Sequence, residues 1–211
     1  MTRIKEQPLK LIPQIKQELE AGKVVILPTD TVYILVANGL KSEAINKIYQ
    51  LKKWNNPQPL ILLTNEQKVD QFGVVNPDTK ILIRQFPYPI TLILPHRGNL
   101  PDSITAGYKT IFISCPNDLI NLLIEDLPFP LVCATASLGA DYKAKNFPTA
   151  MQLFGEQVSL IVDGGKCKYN NQNTKIDCSL SIPTILNFGV ISFDDLRLIL
   201  PTIELPSHLR K

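Results

Sequence analysis

The stretch Gly22-Lys23-Val24-Val25-Ile26-Leu27-Pro28-Thr29-Asp30-Thr31-Val32-Tyr33 constrains the fold more than any other part of the 211-residue chain. Lys23 to Leu27 is an apolar run too short for a helix and rich in β-branched side chains, the pattern of a strand buried in an α/β sheet. Pro28 ends it, because proline has no N–H to give to a ladder. Thr29-Asp30-Thr31 then sets two hydroxyls and one carboxylate at the strand's exit, where open α/β sheets bind ligands. The same residues suit a plain turn in which Asp30 and the threonines satisfy local backbone groups. The stretch alone does not separate these two readings.

Length and composition are those of one folded domain with a sizeable core: 45% of the residues are apolar. No apolar run approaches the roughly 20 residues that a membrane helix needs, so no membrane partner is expected. Met1 to Gln7 carries charge with no long apolar segment behind it, so no secretory leader is expected and a cytoplasmic location is. Cys115, Cys133, Cys167 and Cys178 fall at wide, unrepeated spacings with only His96 and His208 beside them, and form neither a disulfide framework nor a metal-ligand pattern. Cys115 and Cys133 sit in apolar strand-like runs and read as small core residues. A net charge of +3 gives mild attraction to phosphates, short of a committed nucleic-acid binder.

Along the chain, Leu9, Ile12, Ile15 and Leu19 have helical spacing over 9 to 21, and Gly22 suits the position after the helix end. Ser42 suits the cap of a second helix with Ala44, Ile45, Ile48, Tyr49 and Leu51 on one side. That helix ends in a basic, amide-rich, proline-broken loop, Lys52 to Pro59, and Leu60 to Leu63 follows as a buried strand. Short helices are expected at 66 to 72, started by Asn65, and at 77 to 85, started by Asn76 or Asp78. The prolines of Phe86-Pro87-Tyr88-Pro89 make a rigid turn into the strand Ile90 to Leu94. A loop over 95 to 109 leads to the strand Thr110 to Cys115, a helix over 118 to 127 capped by Asn117, and the strand Leu131 to Ala136. Pro148-Thr149 opens a short helix to Phe154, and Val158 to Val162 is a strand running into Asp163-Gly164-Gly165. Thr174 to Ser179 is strand-like, Thr184 to Ile191 reads as a hairpin or strand pair, and Ser192 with Asp195 forms a capping-box start for a helix over 193 to 199.

Several of these motifs occur in one order. Pro28-Thr29-Asp30-Thr31-Val32-Tyr33, Leu51-Lys52 at a helix end, Pro59-Leu60, Pro87 to Thr91, Pro130-Leu131 to Ala136, Asp163-Gly164-Gly165 and Thr174 to Asp177 together resemble the YrdC-like family, over about residues 10 to 192. That family contains the threonylcarbamoyl-AMP synthases, which make the activated intermediate for N6-threonylcarbamoylation of tRNA adenosine, and paralogues without that activity. The resemblance implies an α/β fold: a twisted mixed sheet flanked by helices, with a concave, positively charged ligand cavity. It divides the chain into an N-terminal extension (1–9), a YrdC-like domain (10–200) and a C-terminal tail (201–211). It implies as ligands L-threonine or a similar small molecule, bicarbonate and ATP, with Mg2+ accompanying the nucleotide and no metal ligands from the protein. By position it points to Thr29, Asp30, Thr31, Tyr33, Thr91, Thr135, Ser137, Thr174 and Asp177 as ligand-binding, with Lys52 as the catalytic phosphate clamp if the protein is active; Lys53, beside a vacated arginine position, joins the ligand-binding set.

The chain departs from the family pattern on the phosphate side. The arginine of Lys-x-Arg is Trp54, the asparagine before Pro-Leu is Gln58, and the glycine after the Tyr33 motif is Ile34. A strand arginine aligns with Ser114, the Ser-Thr pair is Asn173-Thr174, and a late arginine is Asn187. Each lost donor to a developing oxyanion is worth about 10²- to 10³-fold in rate, so the expectation is a related protein with weakened or absent synthase activity that keeps small-ligand, nucleotide or RNA binding. The alternative is an active synthase in which lysines such as Lys53 and Lys175 replace the arginines as point charges. Lys52-Lys53-Trp54 is the one basic-aromatic juxtaposition that suits stacking on double-stranded RNA or tRNA; packing of Trp54 over the loop prolines with solvated lysines is the competing reading. Asp163-Gly164-Gly165 reads as a backbone approach to the ligand or a simple turn, and Asp177 as a ligand-orienting acid or a strand-end residue.

Overall fold

The computed structural model describes residues 2–4, 8–139 and 142–206. The strands are β1 (Thr2–Ile4), β2 (Val25–Leu27), β3 (Ile34–Asn38), β4 (Ile61–Leu63), β5 (Tyr88–Pro95) and β6 (Thr110–Cys115). After them come β7 (Leu131–Thr135), β8 (Ser137–Leu138), β9 (Tyr142–Lys143), β10 (Leu160–Val162), β11 (Thr174–Asp177) and β12 (Thr184–Asn187). The helices are α1 (Ile12–Glu20), α2 (Ser42–Lys52), α3 (Pro77–Ile83), α4 (Asp102–Thr105), α5 (Asp118–Asp126), α6 (Phe147–Phe154) and α7 (Phe193–Ile199). Ten strands form one mixed sheet in the order β1-β10-β2-β3-β7-β4-β6-β5-β11-β12, and β8 and β9 form a separate small ladder.

The short apolar runs become central strands because helices cover both faces of the sheet. On one face, Ile15 and Leu19 of α1 and Leu119, Ile120, Leu123 and Ile124 of α5 pack with Leu27, Ile34, Leu63 and Cys133. The other face meets α2, α3, α6 and α7 through residues such as Ile45, Leu82, Ala150 and Leu196, packed against Leu35, Leu62 and Ile113. The mixed, helix-flanked α/β sheet expected from the sequence is the one observed. All four cysteines are buried and unpaired with one another. No helix among the described residues is long and apolar enough to cross a membrane.

Several local expectations need correction. Ile34 to Asn38 forms a strand where none is expected above: residues 28–33 make a wide turn without the two-residue hairpin signal, and β3 returns antiparallel to β2. Ser42 is the first residue of α2 and not its cap, which is Lys41 with no side-chain bond. The stretch 66 to 72 winds only into a 3-10 turn at Val69–Gln71, and the loop over 95 to 109 contains α4. Thr184 to Ile191 yields one strand, β12, paired with β11. Its continuation is captured by the buried Thr174 hydroxyl, which accepts the amides of Gly189 and Ile191, both at 3.1 Å. Asn76, Asn117 and Ser192 cap their helices as expected.

Near either end of the described residues, segments join the sheet. β1 pairs in parallel with β10, while Ile203 is buried and the Glu204 carbonyl accepts the Ile185 amide at 3.0 Å. His208 and the rest of 207–211 lie outside the described residues, as do 1, 5–7, 140 and 141.

Gly189 holds the chain where it crosses β11: a Cβ there would lie 2.3 Å from the Gln172 carbonyl oxygen and 2.4 Å from the Thr174 nitrogen. Both obstacles are backbone, so neither yields cheaply. Gly189→Ala should lower stability by about 1–3 kcal/mol or more, measured by urea denaturation; an unchanged midpoint would refute this packing.

Candidate functional site

Side chains two apart on a strand share a face, and the register uses this to build one wall. Ile34 of β3 lies beside Thr135 of β7, Cys133 beside Ile61 of β4, Leu63 beside Ser114 of β6, and Thr91 of β5 beside Lys175 of β11. Six neighbouring strands thus contribute to two adjoining cavities. The smaller, of about 100 Å³, is lined by Thr29, Thr31, Thr91, Ser114, Thr135 and Asn173 among others. The larger, of about 350 Å³, is lined by Lys52, Trp54, Gln58, Ser137, Lys143 and Lys175 among others. Ile61, Cys133, Thr135 and Lys175 belong to both.

One hydroxyl organises the turn that opens the small cavity. Thr29 Oγ1 accepts the amides of Thr31 and Val32, both at 3.1 Å, and donates to the Val32 carbonyl at 2.6 Å. The Thr31 hydroxyl donates to Asn173 Oδ1 at 3.0 Å. Asn173 Nδ2 in turn reaches Ile90 O at 3.3 Å, Thr91 Oγ1 at 3.2 Å and Ser114 Oγ at 3.1 Å. A turn that is 142 residues away in sequence is thereby tied to β5, β6 and the start of β11.

In the larger cavity, Lys52 is 8% exposed. Its ammonium donates to Thr135 O at 2.9 Å, Ser137 O at 2.8 Å and Ser137 Oγ at 2.6 Å, and stands 5.4 Å from the Trp54 ring centre. Burial, and secondarily the nearby Lys143 charge, push the Lys52 pKa down to about 8. The same two causes lower that of Lys175. Lys143 Nζ donates to Gln172 Oε1 at 2.9 Å. Three cations on one wall, two of them strained by desolvation, make a cavity suited to an anion.

The remaining expected residues fall elsewhere. Lys53 is exposed and in the left-handed conformation after α2, so the third cation of the cavity is Lys143. The Tyr33 hydroxyl is buried against the Asp163-Gly164-Gly165 turn, donating to Gly165 O at 2.9 Å and accepting from Gly164 N at 3.0 Å. That turn is structural, for a Cβ on Gly164 would meet Pro28 at 2.5 Å. Thr174 is consumed by backbone partners, donating to Ile191 O at 2.7 Å. Asp177 closes a strand-end turn by accepting the amide and hydroxyl of Ser179. Asp30 lies outside the lining of both cavities; partial burial raises its pKa, with Lys168 opposing and Asp118 reinforcing. Asn187 is exposed and accepts from the Gln172 amide. Trp54 neither lies free nor packs only on prolines: it meets Tyr49 edge-on at 5.4 Å while lining the cavity beside Pro59. Lys143 and Gln172 were not singled out from the sequence, where each is one polar residue in a polar segment.

The profile of the Sua5/YciO/YrdC family, described as telomere recombination, matches residues 17–189. The chain belongs to this family. Among curated relatives it is similar to a putative threonylcarbamoyl-AMP synthase of Methanocaldococcus jannaschii, 32% identical over 81% of this chain and 82% of that protein. It is likewise 32% identical to the threonylcarbamoyl-AMP synthase of Bacillus subtilis, over 93% of this chain and 59% of that protein. The chain therefore spans about three fifths of the latter's length. The structure of Pyrococcus abyssi Sua5 complexed with L-threonine shares the fold at a TM-score of 0.86 and 24% identity, over 97% of this chain and 61% of that one. Escherichia coli YciO shares it at a TM-score of 0.78 and 21% identity, over 89% and 93%.

In this family member the Lys52 proton is a reporter. Its folded pKa of about 8 lies below the ordinary 10.5. Between these values the unfolded chain binds more protons, so the lysine's contribution to stability rises with pH across that window. The stability of the wild type relative to Lys52→Met should therefore increase from about pH 8 to 10.5 in urea denaturation. A difference that is flat or falls over that range would contradict the buried ammonium.

Proposed function

We propose that the protein binds a threonine-like amino acid in the small cavity and the phosphates of ATP in the lysine-lined cavity, and forms threonylcarbamoyl-AMP slowly. What supports this most is the placement of Lys52, Lys143 and Lys175 on one cavity that shares Thr135 and Lys175 with its hydroxyl-lined neighbour. In this reaction the neutral amino-acid nitrogen attacks the carbon of bicarbonate, whose hydroxyl leaves as water with a proton from the nitrogen, and an oxygen of the resulting carbamate attacks the α-phosphorus of ATP and breaks the α–β phosphoanhydride bond. Pyrophosphate leaves, and negative charge builds on phosphate oxygens. The lysines meet that charge, and the hydroxyls hold the amino acid in reach of the phosphorus. A divalent cation accompanying the nucleotide would be held by its phosphates.

The rate is expected to be low because an ammonium is a point charge without the paired donors of arginine. Ser114 and Asn173 bond to each other at 3.1 Å where the family pattern has an arginine and a serine. That closed, neutral contact favours a second reading, a protein that binds both ligands without turnover.

Pyrophosphate release in ATP, bicarbonate, Mg2+ and L-threonine, alongside ATP titration, decides between them. Slow release that requires L-threonine and falls about 10²-fold in Lys175→Ala and Lys143→Ala is the expected result. ATP binding without release would leave only the second reading; absence of both would sink the two together.

A further inference from the structure

We infer that Ser137 and Lys52 form a nucleophile–base pair that takes an acyl group from an acyl phosphate and passes it to water, an activity that needs neither ATP nor an amino acid and so goes beyond the function proposed above. Lys52 Nζ has three close partners: the Thr135 carbonyl at 2.9 Å, the Ser137 carbonyl at 2.8 Å and the Ser137 hydroxyl oxygen at 2.6 Å. The carbonyls can only accept, so each takes one N–H whatever the charge on the lysine. The third partner can accept or donate. An ammonium gives it the third proton; a neutral amine keeps both carbonyl bonds and turns its lone pair to the Ser137 proton. Loss of one proton therefore changes Lys52 from a donor to Ser137 into a base aimed at it, with no side chain displaced.

The surroundings favour that loss. Lys143 stands directly across the β8–β9 ladder from Ser137, and Lys175 lines the same cavity, which has no carboxylate among its described lining residues. Burial first, and Lys143 second, hold the Lys52 pKa at about 8, so the amine is populated near neutral pH. A serine so activated needs an acyl carbon, and cations on its wall favour an anionic leaving group; an acyl phosphate supplies both. Ser137 Oγ bonds the carbonyl carbon as its proton passes to Lys52, and negative charge on the carbonyl oxygen develops beside Lys143. The carbon–oxygen bond to phosphate then breaks, the phosphate takes the proton from Lys52, and an ester is left on Ser137. Water loses a proton to Lys52 and attacks that ester; the proton returns to Oγ as the acid departs and ionises. The sum is acyl phosphate and water converted to carboxylate, phosphate and one proton.

Acetyl phosphate, given without ATP or L-threonine, tests this by phosphate release and by mass mapping of the acid-quenched protein. Release above the rate in buffer is expected, rising as the pH passes about 8 and then level, with acetyl on Ser137. Ser137→Ala should lower the release about 10²-fold, and so should Lys52→Arg, which keeps the charge but cannot serve as a base. A thermal melt checks that both variants fold; should Lys52→Arg fail it, Ser137→Ala and the pH profile decide. Release no faster than in buffer, release unchanged in Ser137→Ala, or a rate that does not rise through about pH 8 overturns the inference. Acetyl phosphate turnover in a protein that neither binds ATP nor releases pyrophosphate would sink the function proposed above and leave this pair standing.

Discussion

Three neutral oxygens surround a buried ammonium at Lys52, and much of the site depends on that arrangement. The cation closes α2 onto the end of β7 and the start of β8, since its bonds run to Thr135 and Ser137. No carboxylate shares the charge in these bonds, so the lysine is satisfied in geometry and still unbalanced in electrostatics. A buried charge without a counter-ion is costly, and the cost falls when an anion arrives. Lys143 and Lys175 sharpen this by raising the positive potential of the same wall.

The other cavity is built on the opposite principle. Apart from the shared Lys175, its polar groups are neutral, and several are engaged with one another: Thr29 with its own turn, and Asn173 with Thr31, Thr91 and Ser114. Such a network fixes hydroxyl directions, because each acceptor-only partner dictates where the neighbouring proton goes. A hydroxyl-rich cavity and a lysine-lined one thus meet at a boundary that includes Thr135 and Lys175.

Substitutions that look independent in the sequence are linked here. Ser114 and Asn173 are 59 residues apart and in contact, and Trp54 stands over the same lysine that the family pattern pairs with an arginine two residues on. The side proposed to meet phosphate has therefore not simply lost cations. Lys143 comes from the short β8–β9 ladder and Lys175 from β11, so the charge is supplied by elements other than the loop after α2.

The sequence by itself determined the buried strands other than β3, the helix caps at Asn117 and Ser192 and, with Asp78 as an alternative, Asn76, and the ordered motifs that mark the family, because these depend on apolar runs, local hydrogen bonding and short spacing. It also marked the Thr29 to Thr31 turn as a place for a ligand. It did not separate Tyr33, Thr174 and Asp177, whose polar atoms are spent on nearby backbone or a neighbouring hydroxyl, from Thr91, Thr135 and Ser137, which reach a cavity. Nor did it show Lys143 in place of Lys53. Only the tertiary structure decided these points, since a polar side chain's role depends on which strand its register lays beside it and on how many of its hydrogen bonds the fold has already taken.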